Sequence, residues 1–183
     1  MTRLLSIGVR VYYEDTDAGG IVYYANYLRF FERARTDWLR AAGISHRELS
    51  EVDGLCLVVR DCTVQYLRPA RLDDLLAVEV GIANPATDVG RASLRFSQRA
   101  LLVDRPPVDA ALVGRADGAL VGRPLVGGPE GGSAPQEDVP AAGTRDVLAT
   151  GSVRVACMNR HTGRPAALPA RVLEIINEQV ARK

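Results

Sequence analysis

Polar and apolar residues change places at every second position over 8–14, GVRVYYE: Val9, Val11 and Tyr13 share one face, Arg10, Tyr12 and Glu14 the other. That period belongs to an extended chain with one buried face, so the stretch predicts a strand. Over 23–42 the period lengthens to about 3.6, as in an amphipathic helix. Tyr24, Leu28, Phe31, Trp38 and Ala42 then fall on one stripe, and Gly43 supplies a C-terminal stop. Runs rich in Val, Leu, Tyr and Phe follow at 55–67, 75–83 and 91–103, separated by RPARLDD and NPATDVG, and predict three strands joined by turns. In the third run Ala92, Leu94, Phe96 and Ala100 share one face, with Arg91, Ser93, Arg95, Ser97 and Arg99 opposite. A strand at 147–158 and a helix over 169–181 complete the pattern. One long helix between the first and second strands, and none between the later ones, predicts an α+β layer in which an antiparallel sheet curves around a central helix.

A chain of 183 residues holds one domain with a sizeable core and is too short for two ordinary ones. Between 104 and 146 the composition shifts to Gly, Pro, Ala and Val, and GGPEGGSAPQEDVPAAG has little to bury, so a flexible insert is expected there. Within it, LVGR occurs at 112–115 and again at 120–123 around an Asp117-Gly118 turn signal, consistent with an extended hairpin but too little for a repeat architecture. The net charge of +1, with both signs interspersed, provides no field to gather nucleic acid or an anionic membrane. The N-terminus lacks a signal-peptide pattern and no apolar run reaches about eighteen residues, so a cytoplasmic protein without membrane insertion is expected. Cys56, Cys62 and Cys157 are odd in number and lack CxxC spacing, so they are expected to be core thiols rather than disulfide or zinc ligands.

The candidate chemistry lies in EDTDAGG, where the first strand ends. A calcium loop starting at Asp15 would need its bidentate Glu at the twelfth position, and Asn26 stands there. Aspartate-based phosphoryl transfer would place its acids after a strand buried on both faces in a parallel sheet, which the alternation disfavours. Phosphoryl transfer stays as an alternative beside two further readings. Asp and Gly are ordinary turn residues, and the stretch serves as a polar turn. Alternatively, Gly19 and Gly20 let the backbone bend and a ligand come close, just ahead of a helix start with no side-chain cap in IVYYAN. Free amides there suit a carbonyl oxygen that gains negative charge, and Asp17 upstream would attack its carbon or activate a water, a pairing suited to acyl transfer.

YYEDTDAGGIVYYANYLRFFERARTDWL, followed by VVRDCTVQYLRPARLDDLL, resembles the hotdog-fold acyl-CoA thioesterases of the 4-hydroxybenzoyl-CoA thioesterase type, nearest to the branch associated with the Tol-Pal system. The likeness covers 6 to about 103 and resumes from about 147 to RPAALPARV. The resemblance implies a single hotdog domain over 1–183, with Asp17 as the catalytic carboxylate and the Tyr24 backbone amide polarising the thioester carbonyl. It implies hydrolysis of acyl-CoA to free acid and CoA without metal or organic cofactor, by direct attack or by general base. It also implies homodimers or homotetramers built on a continuous sheet, with sites at the subunit interface. An acyl carrier protein is a second candidate thioester donor, and a non-catalytic acyl-CoA or acyl-carrier binding module of the same fold is the alternative function. A dehydratase of this fold would want a paired His and acid that are not visible near the first helix. Two departures stand out: Tyr24 where many members of the branch carry His, and the 104–146 insert where relatives have a short hairpin.

Other residues admit two readings. Gly20 is a candidate for close ligand approach, and Tyr27, one turn beyond the proposed amide, for the acyl pocket, although aromatics at helical spacing commonly form core. Arg91 suits a CoA phosphate and equally a solvated sheet face, while Arg95 and Arg99 read as solvated. Arg35, with Glu32 one turn earlier, reads as an ion pair locking the helix to the sheet in preference to a reading that makes Glu32 part of the site. His46 and His161 lack a triad context and read as surface residues.

Overall fold

The computed structural model describes residues 2–105 and 146–181. The insert and the hairpin within it lie outside the described residues, apart from the insert's ends.

Five strands form one antiparallel sheet in the order β1-β3-β4-β5-β2. They are β1 (Thr2–Arg10), β2 (Leu55–Tyr66), β3 (Leu75–Ile82), β4 (Ser93–Asp104) and β5 (Val147–Asn159). The central helix α1 (Asn26–Ala41) lies on the inner face, with α2 (His46–Glu51), α3 (Pro85–Asp88) and α4 (Ala170–Ala181) at the periphery. This is the hotdog arrangement. Among the described residues no helix is long and apolar enough to cross a membrane.

Alternation decides which side chains meet the helix. Leu94, Phe96, Gln98 and Ala100 of β4 are buried, whereas Arg95, Ser97 and Arg99 between them are only partly covered. On the outer face the buried Glu79 of β3 collects Arg3 at 3.3 Å and Arg99 at 2.6 Å, so Arg99 is paired rather than merely solvated. Arg95 pairs with Asp61 at 3.7 Å. The inner face meets Tyr27, Phe30, Phe31, Ala34, Trp38 and Leu39 of α1, all buried, with Trp38 edge-on to Phe96 at 5.4 Å. Gly43, at φ +77°, ends α1 as expected, its amide donating to the Arg40 carbonyl.

Several expectations need correction. The first strand begins earlier and ends at Arg10, and Tyr13–Asp15 is a 3₁₀ turn, because the Asp15 carboxylate accepts the Tyr12 amide and curls the chain back. Tyr13 therefore stands exposed instead of sharing the buried face of Val9 and Val11. The helix begins at Asn26, and Tyr24 and Leu28 lie on its exposed flank; the buried stripe is centred on Phe30 and Phe31. Arg35 is buried as its position implies, but it reaches the sheet through Gln98 Oε1 at 2.6 Å, while Glu32 accepts from Thr36. Of the three thiols only Cys157 is fully buried, and Cys62 is exposed on the edge strand β2.

Candidate active site

Both acids of DTD sit in one loop, with opposite duties. Asp15 is buried; its carboxylate takes the Tyr12 amide at 3.0 Å, and its carbonyl accepts both the Tyr23 amide and Asn26 Nδ2, each at 2.9 Å. Asp17 is exposed at the tip. Its Oδ1 accepts the Gly19 amide at 2.8 Å, and the turn closes where the Asp17 amide donates to the Ile21 carbonyl at 3.0 Å and the Gly20 amide to the Asp17 carbonyl at 2.9 Å. One carboxylate oxygen is thereby held by the loop's own backbone. A side chain at Gly19 would stand 3.0 Å from that oxygen, while Gly20 is needed for its φ of +70° and faces open space.

The Asp15 carbonyl brings this loop to the start of α1. Tyr24 lies between the loop and the helix, in a turn held by the Tyr23 amide to Asp15 and by the Asn26 amide to the Tyr23 carbonyl, both at 2.9 Å. Helix α1 has no side-chain cap at Ala25, and among the described residues the Tyr24 amide has no acceptor. Asp17 and Tyr24 thus occupy two turns pinned to one carbonyl.

Beside them opens a cleft of about 290 Å³ lined mainly by Ile21, Val22, Tyr24, Tyr27, Tyr66 and Leu67. Tyr27 is almost wholly buried, and its phenol oxygen accepts the Ala70 amide at 3.2 Å, so it is core and cleft wall at once. Burial holds its phenol above the ordinary tyrosine range, partly offset by that hydrogen bond, with Asp74 and Tyr66 adding to the rise. Tyr23 packs 4.6 Å from Tyr24. Its phenol is likewise held high, first by Tyr24 and to a lesser degree by partial burial and the Asp17 charge. Arg68, on the rim, pairs with Asp146 at 2.6 Å.

Arg91 is not brought here. It precedes β4, whose other end, at Asp104, pairs with Leu75 near the loop, so the strand separates Arg91 from Asp17 by on the order of 30 Å at the rise of an extended chain. His46 and His161 are exposed, away from this loop. Among the described residues no group of three or more His, Cys, Asp or Glu is placed to hold a metal ion. The sequence reading missed Asp15, Asn26 and Tyr66, the last of which donates to the Tyr24 carbonyl at 3.1 Å. Neither Asn26 nor Tyr66 carried a readable signal: the stripe through Tyr24, Leu28 and Phe31 sets Asn26 on the opposite side of the helix, and the partner of Tyr66 is 42 residues away.

Known proteins are similar to this chain in sequence and architecture. Acyl-CoA thioesterase YbgC of Haemophilus influenzae is 45% identical over 112 residues, which are 59% of this chain and 79% of that protein. Acyl-CoA thioester hydrolase YbgC of Escherichia coli is 49% identical over 98 residues, 54% of this chain and 69% of that protein. The crystal structure of a probable thioesterase from Bartonella henselae superposes with a TM-score of 0.61 at 27% identity, covering 90% of this chain and 98% of that one. The family model described as the thioesterase-like superfamily matches residues 11–176, from just before the Asp17 loop into α4, and the chain belongs to that superfamily.

Proposed function

We propose that this chain hydrolyses acyl-CoA thioesters to a free carboxylic acid and CoA, with Asp17 as the reacting carboxylate and the Tyr24 amide as the donor to the thioester oxygen. The observation that carries the reading is the Asp15 carbonyl, which accepts from Tyr23 and Asn26 and so fixes the Tyr24 turn against the loop that presents Asp17. The activity by which the two relatives are named supports the same chemistry.

The geometry suits two routes. With its Oδ1 held by Gly19, Asp17 attacks the thioester carbon through the other oxygen; the C–S bond breaks, CoA leaves as thiolate, and water cleaves the mixed anhydride to release acid and restore the carboxylate. Alternatively Asp17 takes a proton from a water that attacks the same carbon, and the proton passes to the departing thiolate. In both routes negative charge collects on the former carbonyl oxygen, where one preorganised amide contributes on the order of 10²–10³ in rate. The apolar cleft beside Tyr24 and Tyr27 is the place for the acyl group, and Gly20 leaves open space at the loop for the incoming thioester. Neither route uses a metal or an organic cofactor. Arg91 stands too far along its own strand to assist within one chain.

The assembly proposed with this function is a homodimer through β2. Among the described residues that strand pairs only with β5, and 59–63 are exposed in succession, so a ladder edge without a described partner lies beside the Tyr24 cleft. Sedimentation equilibrium that returned the mass of one chain would sink the dimer.

The function is tested by following thiol release from acetyl-CoA, palmitoyl-CoA and benzoyl-CoA with the native protein and Asp17→Asn. The asparagine keeps an oxygen for the Gly19 amide, so the fold should persist while kcat falls by at least about 100-fold. Binding of acyl-CoA without thiol release by the native protein would convert the reading to a binding module.

A further inference from the structure

We propose that Tyr66 is a positioning residue for this hydrolysis, its hydroxyl fixing the turn that carries the Tyr24 amide. The inference rests on the hydrolase reading above. Tyr24 precedes α1, so the helical ladder does not hold it: the Leu28 amide donates to Ala25 at 3.0 Å and leaves the Tyr24 carbonyl unclaimed. Tyr66 Oη donates to that carbonyl at 3.1 Å, and among the described residues it is the hydrogen bond made to the backbone of Tyr24.

The anchor itself is rigid. Tyr66 is the last residue of β2, paired across from Ala149 of β5, and the next two amides, of Leu67 and Arg68, both donate to the Leu148 carbonyl at 2.8 and 3.1 Å. Its ring is fixed by edge-on contacts with Tyr24 at 6.3 Å and Tyr27 at 5.6 Å. The hydroxyl therefore ties a segment outside regular structure to the sheet.

Two peptide planes meet at the Tyr24 α-carbon, and each has its own clamp. The plane containing the Tyr24 amide is held where the Tyr23 carbonyl accepts the Asn26 amide, and the plane after it is held by Tyr66. Without the hydroxyl the second plane is released, and the Tyr24 amide, held on one side only by the Asn26 clamp, is aimed less narrowly. An oxyanion donor acts only when aimed at the oxygen's transition-state position. The loss should therefore appear in turnover rather than in substrate binding.

The test compares native protein, Tyr66→Phe, Tyr66→Leu and Asp17→Asn in the thiol-release assay, with thermal melts alongside. Tyr66→Phe keeps the ring and should lower kcat about tenfold, with KM within about twofold and little change in Tm. Tyr66→Leu also removes the cleft wall and should raise KM in addition. Native-like kcat in Tyr66→Phe, with Asp17→Asn inactive, would overturn this inference and leave the hydrolase reading standing. A fall in kcat matched by an equal rise in KM and a lowered Tm would mark Tyr66 as merely structural and overturn it as well. No thiol release by the native protein from any of the three substrates would remove both.

Discussion

Asn26 Nδ2 donates a 2.9 Å hydrogen bond to the carbonyl of Asp15, eleven residues earlier, and both groups are buried. This contact joins the first turn of α1 to the loop bearing Asp17, and the Tyr23 amide shares the same acceptor. Asn26→Ala leaves one of the two donors, so it should destabilise the fold by about 1–2 kcal/mol. Its effect on thiol release should exceed the unfolded fraction, because the proposed Asp17–Tyr24 relationship depends on that carbonyl. Urea unfolding and kcat measured on the same preparation check this, and unchanged turnover in a folded variant would separate the clamp from the chemistry.

Gly151 of β5 lets α1 approach the sheet. A methyl group there would stand 2.7 Å from the Phe31 ring, which is fully buried. The buried ring would have to shift within the core, so Gly151→Ala should cost about 1–3 kcal/mol through overpacking. Combining it with Phe31→Leu should cost less than the sum of the two single changes, since the ring responsible for the clash is gone. Denaturant midpoints of the three variants measure the coupling.

Where periodicity governs burial, the architecture was readable. The alternation of β4 separates Leu94, Phe96 and Ala100 from Arg95, Ser97 and Arg99, and the fold keeps that division. Gln98 shares the inner face with the first three, and it answers two polar groups of α1 by accepting from Arg35 and donating to the Phe31 carbonyl at 2.8 Å. The stretch after Arg10 was not legible in the same way, because its alternation continues past the strand's end and only the Asp15 carboxylate's return to Tyr12 stops it. The stripe on α1 was placed too far toward Tyr24 and Leu28, since periodicity alone does not say which flank the sheet covers. As for the site, the resemblance named Asp17 and Tyr24, but how their turns are held depends on hydrogen bonds from Asn26 and Tyr66 whose partners are distant in sequence.

Asp74 is completely buried beneath Arg105, which grips it through two hydrogen bonds of 2.8 Å, while the Arg71 amide supplies a third of the same length. The Arg105 side chain is partly exposed, so its removal costs less than breaking a fully buried pair. Arg105→Ala should destabilise by about 2–3 kcal/mol, chiefly by leaving a carboxylate underpaired away from water. Adding Asp74→Asn should then recover part of the loss, because the stranded charge disappears. Failure to recover would show that the arginine acts through packing rather than charge.

The Tyr27 phenol is held above its ordinary range chiefly by burial. A group that keeps its proton longer in the folded chain than in the unfolded one contributes stability in full below the unfolded value, which for tyrosine is about 10. As pH climbs through that value the unfolded chain releases its proton first, so stability falls until the folded-state value is reached. Unfolding free energy should therefore be flat with respect to this group between pH 7 and 9 and decline once pH passes about 10. Tyr27→Phe removes the titration and should flatten part of that decline, while costing stability near neutrality because the Ala70 amide loses its acceptor. Urea melts of both proteins across this range would decide the matter. An alkaline slope as steep in the variant as in the native chain would assign the loss to another group.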